Sequence, residues 1–117
     1  MSFVRQRLQA RGVLSAHQLQ QAAKGHRALV AGLVIVRQRP STAKGLVFVT
    51  VEDETGFANA IVPAAQFDEH RALLVSARAL VIGGVVQQNQ GVTSLKADRF
   101  WPLDSAEAAR DISHDFR

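Results

Sequence analysis

The residues of this sequence that could do acid, base or nucleophilic chemistry are few and scattered. His17, His26, His70 and His114 lie far apart, without the spacings that ligate a metal. Ser113, His114 and Asp115 are consecutive, and neighbours along a chain cannot converge as nucleophile, base and orienting acid. There is no cysteine, which removes thiolate catalysis, disulfides and cysteine-ligated zinc. Glu52, Asp53 and Glu54 cluster, but a divalent cation needs more converging oxygens than adjacent residues supply. Followed by Thr55 and Gly56, they read as a tight turn instead. Gly83 and Gly84 sit inside an apolar run and lack the following helix of a phosphate-cradling loop. We therefore expect no catalytic residue, no metal and no cofactor: this chain is not expected to be an enzyme.

What the residues do favour is recognition. Arg5, Arg7, Arg11, Lys24, Arg27, Arg37, Arg39 and Lys44 precede Val51 without a single Asp or Glu among them, and all ten acidic residues stand at Glu52 or beyond. The net charge of +4 is modest, but a basic half is the footprint expected for a polyanion partner. A solvated basic face with no partner is the competing reading. The cations thicken in one stretch, Arg37-Gln38-Arg39-Pro40-Ser41-Thr42-Ala43-Lys44, where hydroxyls and an amide stand beside three positive charges, as tracking a phosphate backbone requires.

The elements that must position these groups follow from periodicity. Residues Val4–Arg11, closed by Gly12, and a segment opening at Ser15 read as short helices, the second with a capping box of Ser15 and Gln18. From Ala28 the pattern is that of strands: Ala28–Val36 with Gly32 inside it, Gly45–Val51, and Phe57–Val62 after the turn. Pro63 suits a first helical turn, and Phe67, Leu73, Leu74 and Ala77 give the next segment an apolar face. Arg78–Val86 and Val92–Phe100 are two more strands, separated by a polar turn over residues 87–91. Strand, strand, strand, helix, strand, strand is the order of an all-β fold, the five-stranded Greek-key OB-fold barrel with one helix between strands 3 and 4, here preceded by short N-terminal helices. Glycines within the first and fourth strands supply the bending that a small closed barrel needs. The pattern alone also admits a different small barrel or an open sheet. The divisions are 1–27 for the helical extension, 28–103 for the barrel and 104–117 for a polar tail.

On that plan the ligand surface is the face of strands two and three, flanked by the basic loop and by the loop between strands four and five. Val47, Val49 and Val51 share one face of strand two, and Leu46, Phe48 and Thr50 the other. With the valines inside, Phe48 stands outside, where a phenyl ring can stack on a base; packing under the basic loop or on the N-terminal helices is the alternative. Asn59 projects beside Phe48, within reach of a base edge. Phe57, next to the turn, is expected to pack, and Trp101 to close the barrel as a plug. Gln87, Gln88 and Asn89 offer amides to the strand, and Lys96 and Arg99 extend the basic surface. The expected nucleic-acid-binding set is thus Arg37, Arg39, Lys44, Phe48, Thr50, Asn59, Gln87, Gln88, Asn89, Lys96 and Arg99.

Arg37 to Pro40, Thr42 to Gly45 and the run Phe48-Val49-Thr50-Val51-Glu52-Asp53-Glu54-Thr55-Gly56 resemble the OB domain that ends the error-prone C-family DNA polymerase alpha subunits of bacteria. The resemblance runs from about Val13 to the C-terminus, where Ser113-His114-Asp115-Phe116 is similar to that family's Ser-Arg-Asp-Phe ending. It implies a module of a damage-tolerant, SOS-linked polymerase whose catalytic domains precede it, present here as an excised domain or a stand-alone relative. The shorter pattern of Phe48 to Asp53 with Gly56 also resembles the anticodon-binding OB domains of some aminoacyl-tRNA synthetases, where the matching aromatic stacks on a base and the residue matching Asn59 contacts it. The expected partner is single-stranded DNA, with RNA, or other polymerase or replisome subunits, as alternatives. Without a 20-residue apolar run or a secretory signal, no membrane partner and a cytoplasmic location are expected.

Overall fold

The structure is a computed structural model; it describes residues 12–38, 45–89 and 91–103, with the side chains of Val36 and Asn89 left aside. Arg39, Lys44 and the expected helix at Val4–Arg11 lie outside the described residues. Among the described residues, six strands and three short helices follow in the order β1 (Val13–Leu14), α1 (Ala16–Gln20), β2 (Arg27–Gln38), β3 (Leu46–Asp53), β4 (Gly56–Pro63), α2 (Ala64–Glu69), α3 (Arg71–Ser76), β5 (Ala79–Asn89) and β6 (Val92–Pro102).

The barrel closes because β2 serves two partners. Arg27 to Leu33 pairs antiparallel with β5, and Leu33 to Gln38 pairs with β3. The handover falls at Gly32, where a Cβ would stand 2.5 Å from the Glu52 carbonyl oxygen, so only glycine lets the two strands cross this closely. On β5, Gly84, opposite Ala28, passes so near the Lys96 carbonyl that a side chain would collide with it, and the β5–β6 register shifts there. β3 and β4 form a regular hairpin, β4 runs parallel to β6 at Ala60–Leu95 and Ile61–Lys96, and β5 returns to β2. This is the five-stranded OB-fold barrel expected from the strand order.

Alternation fills its interior. Val47, Val49 and Val51 from β3, Ala58, Ala60 and Val62 from β4, Leu80, Ile82 and Val86 from β5, and Leu95, Ala97 and Phe100 from β6 are all buried in one cluster. Leu19 of α1 joins it, and so do Phe67 and Leu74 of α2 and α3. Burying a side chain such as Leu19 is worth about 1.5–3 kcal/mol.

Four features depart from the sequence reading. Val13–Leu14 is a short strand, parallel to β2 at Leu29 and Val30. β2 continues to Gln38, so Arg37 and Gln38 belong to a strand and not to the loop. β5 continues to Asn89, so Gln87, Gln88 and Asn89 are ladder residues and not a turn. Pro63 closes β4, paired with Leu46, and the helix after it breaks at His70 into two.

Candidate nucleic-acid interface

The outer face of the β3–β4 hairpin is set by register. Phe48 stands opposite Ile61, Thr50 opposite Asn59, and Glu52 opposite Phe57. The first of these rows extends both ways: Gln38 of β2 pairs with Phe48, and Lys96 of β6 lies beside Ile61. In the middle row the Thr50 hydroxyl donates to Asn59 Oδ1 at 3.0 Å. Phe48 is half-buried, Asn59 and Lys96 are exposed, and Phe57 is 55% exposed. Residues four apart on a strand are separated by about 14 Å. The face therefore carries two phenyl rings at diagonal corners, with a hydrogen-bonding pair between them and an ammonium at one edge.

Phe57 was expected to pack and does not. Its inward neighbours Ala58 and Ala60 take the barrel interior, which leaves Phe57 and Asn59 on the outside. The strand's alternation carries that signal, and proximity to the turn obscured it. Trp101 likewise is no sealed plug: it is 42% exposed, with an edge of its indole over Gly83.

One carboxylate of the acidic cluster ties this hairpin to α1. Asp53, 3% exposed, accepts from the Ala16 amide at 2.7 Å and from the Thr55 amide and hydroxyl at 2.7 and 2.6 Å. Thr55 Oγ1 accepts from the His17 amide at 3.0 Å. Ser15 and Gln18 form the expected capping box, its hydroxyl taking the Gln18 amide and the Gln18 side chain taking the Ser15 amide. The orphan amides that open α1 are thereby satisfied, two of them by the β3–β4 turn. The turn beside Phe57 is thus pinned to a helix that plugs the core.

The remaining expected residues are distributed less evenly. Arg37 pairs with Val49, whose side chain is inside the barrel, and its guanidinium donates to the carbonyls of Leu74 and, at 2.6 Å, Ala77 at the end of α3. Gln87 is half-buried opposite Ser94, and exposed Gln88 reaches the Ala22 carbonyl at 3.4 Å. Arg99 is exposed beside Gly83 and Trp101, away from the Phe48 row. Arg27 forms a two-pronged pair with Asp98 at 2.8 and 3.0 Å; that hydrogen bonding holds the Asp98 carboxyl below its ordinary range and raises the guanidinium. Among the described residues no three His, Cys, Asp or Glu groups gather as a metal site, and no helix is long and apolar enough to cross a membrane.

A family model for the OB-fold nucleic acid binding domain matches residues 28–103. The chain belongs to that family. It is 43% identical over 117 residues to the error-prone DNA polymerase of Corynebacterium glutamicum and 48% identical over 105 residues to that of Caulobacter vibrioides, covering 100% and 90% of this chain. The chain spans only 11% and 10% of those relatives. Among solved structures it is similar to asparaginyl-tRNA synthetase from Pyrococcus horikoshii, with a TM-score of 0.66 at 15% identity over 89% of this chain and 29% of that one. A replication protein A heterotrimer bound to single-stranded DNA gives 0.55 at 15% identity over 82% of this chain and 71% of that one. At these identities the structural likenesses establish the barrel itself.

Proposed function

We propose that this OB-fold domain binds single-stranded DNA on the outer face of β3 and β4, contributes no chemistry of its own, and serves as the strand-handling module of an error-prone DNA polymerase, at its C-terminal end, in SOS-linked, damage-tolerant synthesis. The observation that carries this reading is the exposed ring of Phe57 and the half-buried ring of Phe48, on either side of Thr50 and Asn59. A ring left in water is unfavourable unless something stacks on it, and a base on an aromatic side chain is worth about 1–3 kcal/mol. The relatives' name and the family's description point to the same ligand class. In this reading Lys96, Arg39 and Lys44 hold phosphates, the rings hold bases, and Asn59 and the amides of β5 orient the strand.

The test is fluorescence anisotropy of a labelled single-stranded oligonucleotide against this chain, with Phe48→Ala and Phe57→Ala, across a series of salt concentrations. Three phosphate contacts predict a log-log salt slope of about −2, from about −0.7 each. Each Phe→Ala variant should weaken binding about 5- to 150-fold while melting normally. No binding at low salt would sink the proposal in favour of a protein-docking barrel, and tighter binding of RNA of the same sequence would reassign the ligand.

A further inference from the structure

Resting on that strand-binding reading, we propose that Arg37 is a positioning residue: its guanidinium clasps the end of α3 to β2, and it acts on the strand through the end of β2, where Gln38 pairs with Phe48, and not by holding a phosphate. The last carbonyls of a helix have no partner within it. α3 ends at Ser76, and Ala77 leaves it in an extended conformation. The Leu74 carbonyl accepts from Arg37 Nε and the Ala77 carbonyl from its Nη2. A planar fork of donors can serve two carbonyls at once, and a cation at a helix C-terminus is favoured by the helix dipole.

Its ladder partner Val49 faces the interior, so Arg37, itself exposed, starts from the inner side of β2 at the barrel rim and reaches the end of α3. Leu74, whose carbonyl it holds, has a side chain fully buried in the core. A second bond ties the same corner, from the Val34 amide to the Arg78 carbonyl at 2.9 Å. One residue beyond Arg37, Gln38 pairs with Phe48, so these bonds hold the end of β2 beside the Phe48 row. A phosphate that recruited Arg37 would strip two carbonyls of their donor.

The experiment compares wild type, Arg37→Ala, Arg37→Lys and Arg39→Ala by thermal melting and by anisotropy with a labelled single-stranded oligonucleotide over a range of salt. The clasp predicts that Arg37→Ala lowers the melting temperature by about 4–8 °C and weakens binding several-fold, with the salt slope unchanged. Arg37→Lys, which keeps the charge and loses the fork, should behave like Arg37→Ala. Arg39→Ala should make the slope shallower by about 0.7 at an unchanged melting temperature. A slope shallower by about 0.7 in Arg37→Ala, or full rescue by lysine, overturns the clasp in favour of a phosphate contact. An unchanged melting temperature overturns it as well. If wild type fails to bind, the strand-binding reading falls and with it any role for Arg37 in binding, and the melting temperatures alone then decide whether the clasp exists.

Discussion

Two faces of the same barrel use the same strands differently. On the β3–β4 side the outward residues are Phe48, Thr50, Glu52, Phe57, Asn59 and Ile61, and Phe57 stands more than half exposed. On the β2–β5 side the outward residues Leu29, Ala31, Leu33 and Val81 are apolar, and the chain covers them itself: Val13 of β1 and Leu103 after β6 join them in a second small cluster, with Val13 and Ala31 buried. A strand apolar on both faces needs cover on both. Where the protein supplies that cover the face is structural, and where it leaves the Phe57 ring bare beside hydrogen-bonding groups the proposed ligand would supply the cover.

The sharpest way to break that contrast is to place a carboxylate on each face. Ala31→Asp buries an unpaired charge in the second cluster and should cost more than about 3 kcal/mol, seen as loss of the cooperative melt or a midpoint lower by more than about 12 °C. Phe57→Asp should leave stability within about 0.5 kcal/mol and abolish strand binding at physiological salt. If the two variants exchanged these phenotypes, the assignment of faces would be wrong.

Asp53 sharpens the comparison, because it joins the exposed hairpin to a core-plugging helix. Asp53→Ala strands the Ala16 and Thr55 amides and should cost about 2–4 kcal/mol by denaturant unfolding. A loss under 1 kcal/mol would mean that water replaces the carboxylate there.

The smallest effect belongs to Asp98. Its folded carboxyl lies below the unfolded value because of Arg27, so the pair stabilises the fold above the ordinary carboxylate range, and that contribution is lost as pH falls through and below it. Both partners are largely solvated, so Asp98→Asn should only slightly flatten the acid limb of the stability profile, measured as melting temperature between pH 7 and pH 3. A flattening at alkaline pH instead would contradict the assignment.

Much of this was legible before any coordinates. The order of strands, the interior valines of β3, the outward Phe48 and Asn59 and the capping box at Ser15 are all local or periodic, and the periods of two and 3.6 write themselves into the residue types. The uncovered Phe57 was written there too, in its alternation with Ala58 and Ala60, although its nearness to a turn argued the other way. The strand at Val13–Leu14 left no trace, because two residues carry no period and gain their ladder only from β2.

By itself, then, the sequence determined five alternating strands in the order of a small barrel, and a basic first half. Tertiary structure alone decided what the long polar side chains do. Arg37 lies 37 residues from the Leu74 carbonyl and Asp53 lies 37 from the Ala16 amide. Neither partnership is encoded in spacing, because each depends on closure of the barrel to bring a rim residue against a helix end that must be satisfied.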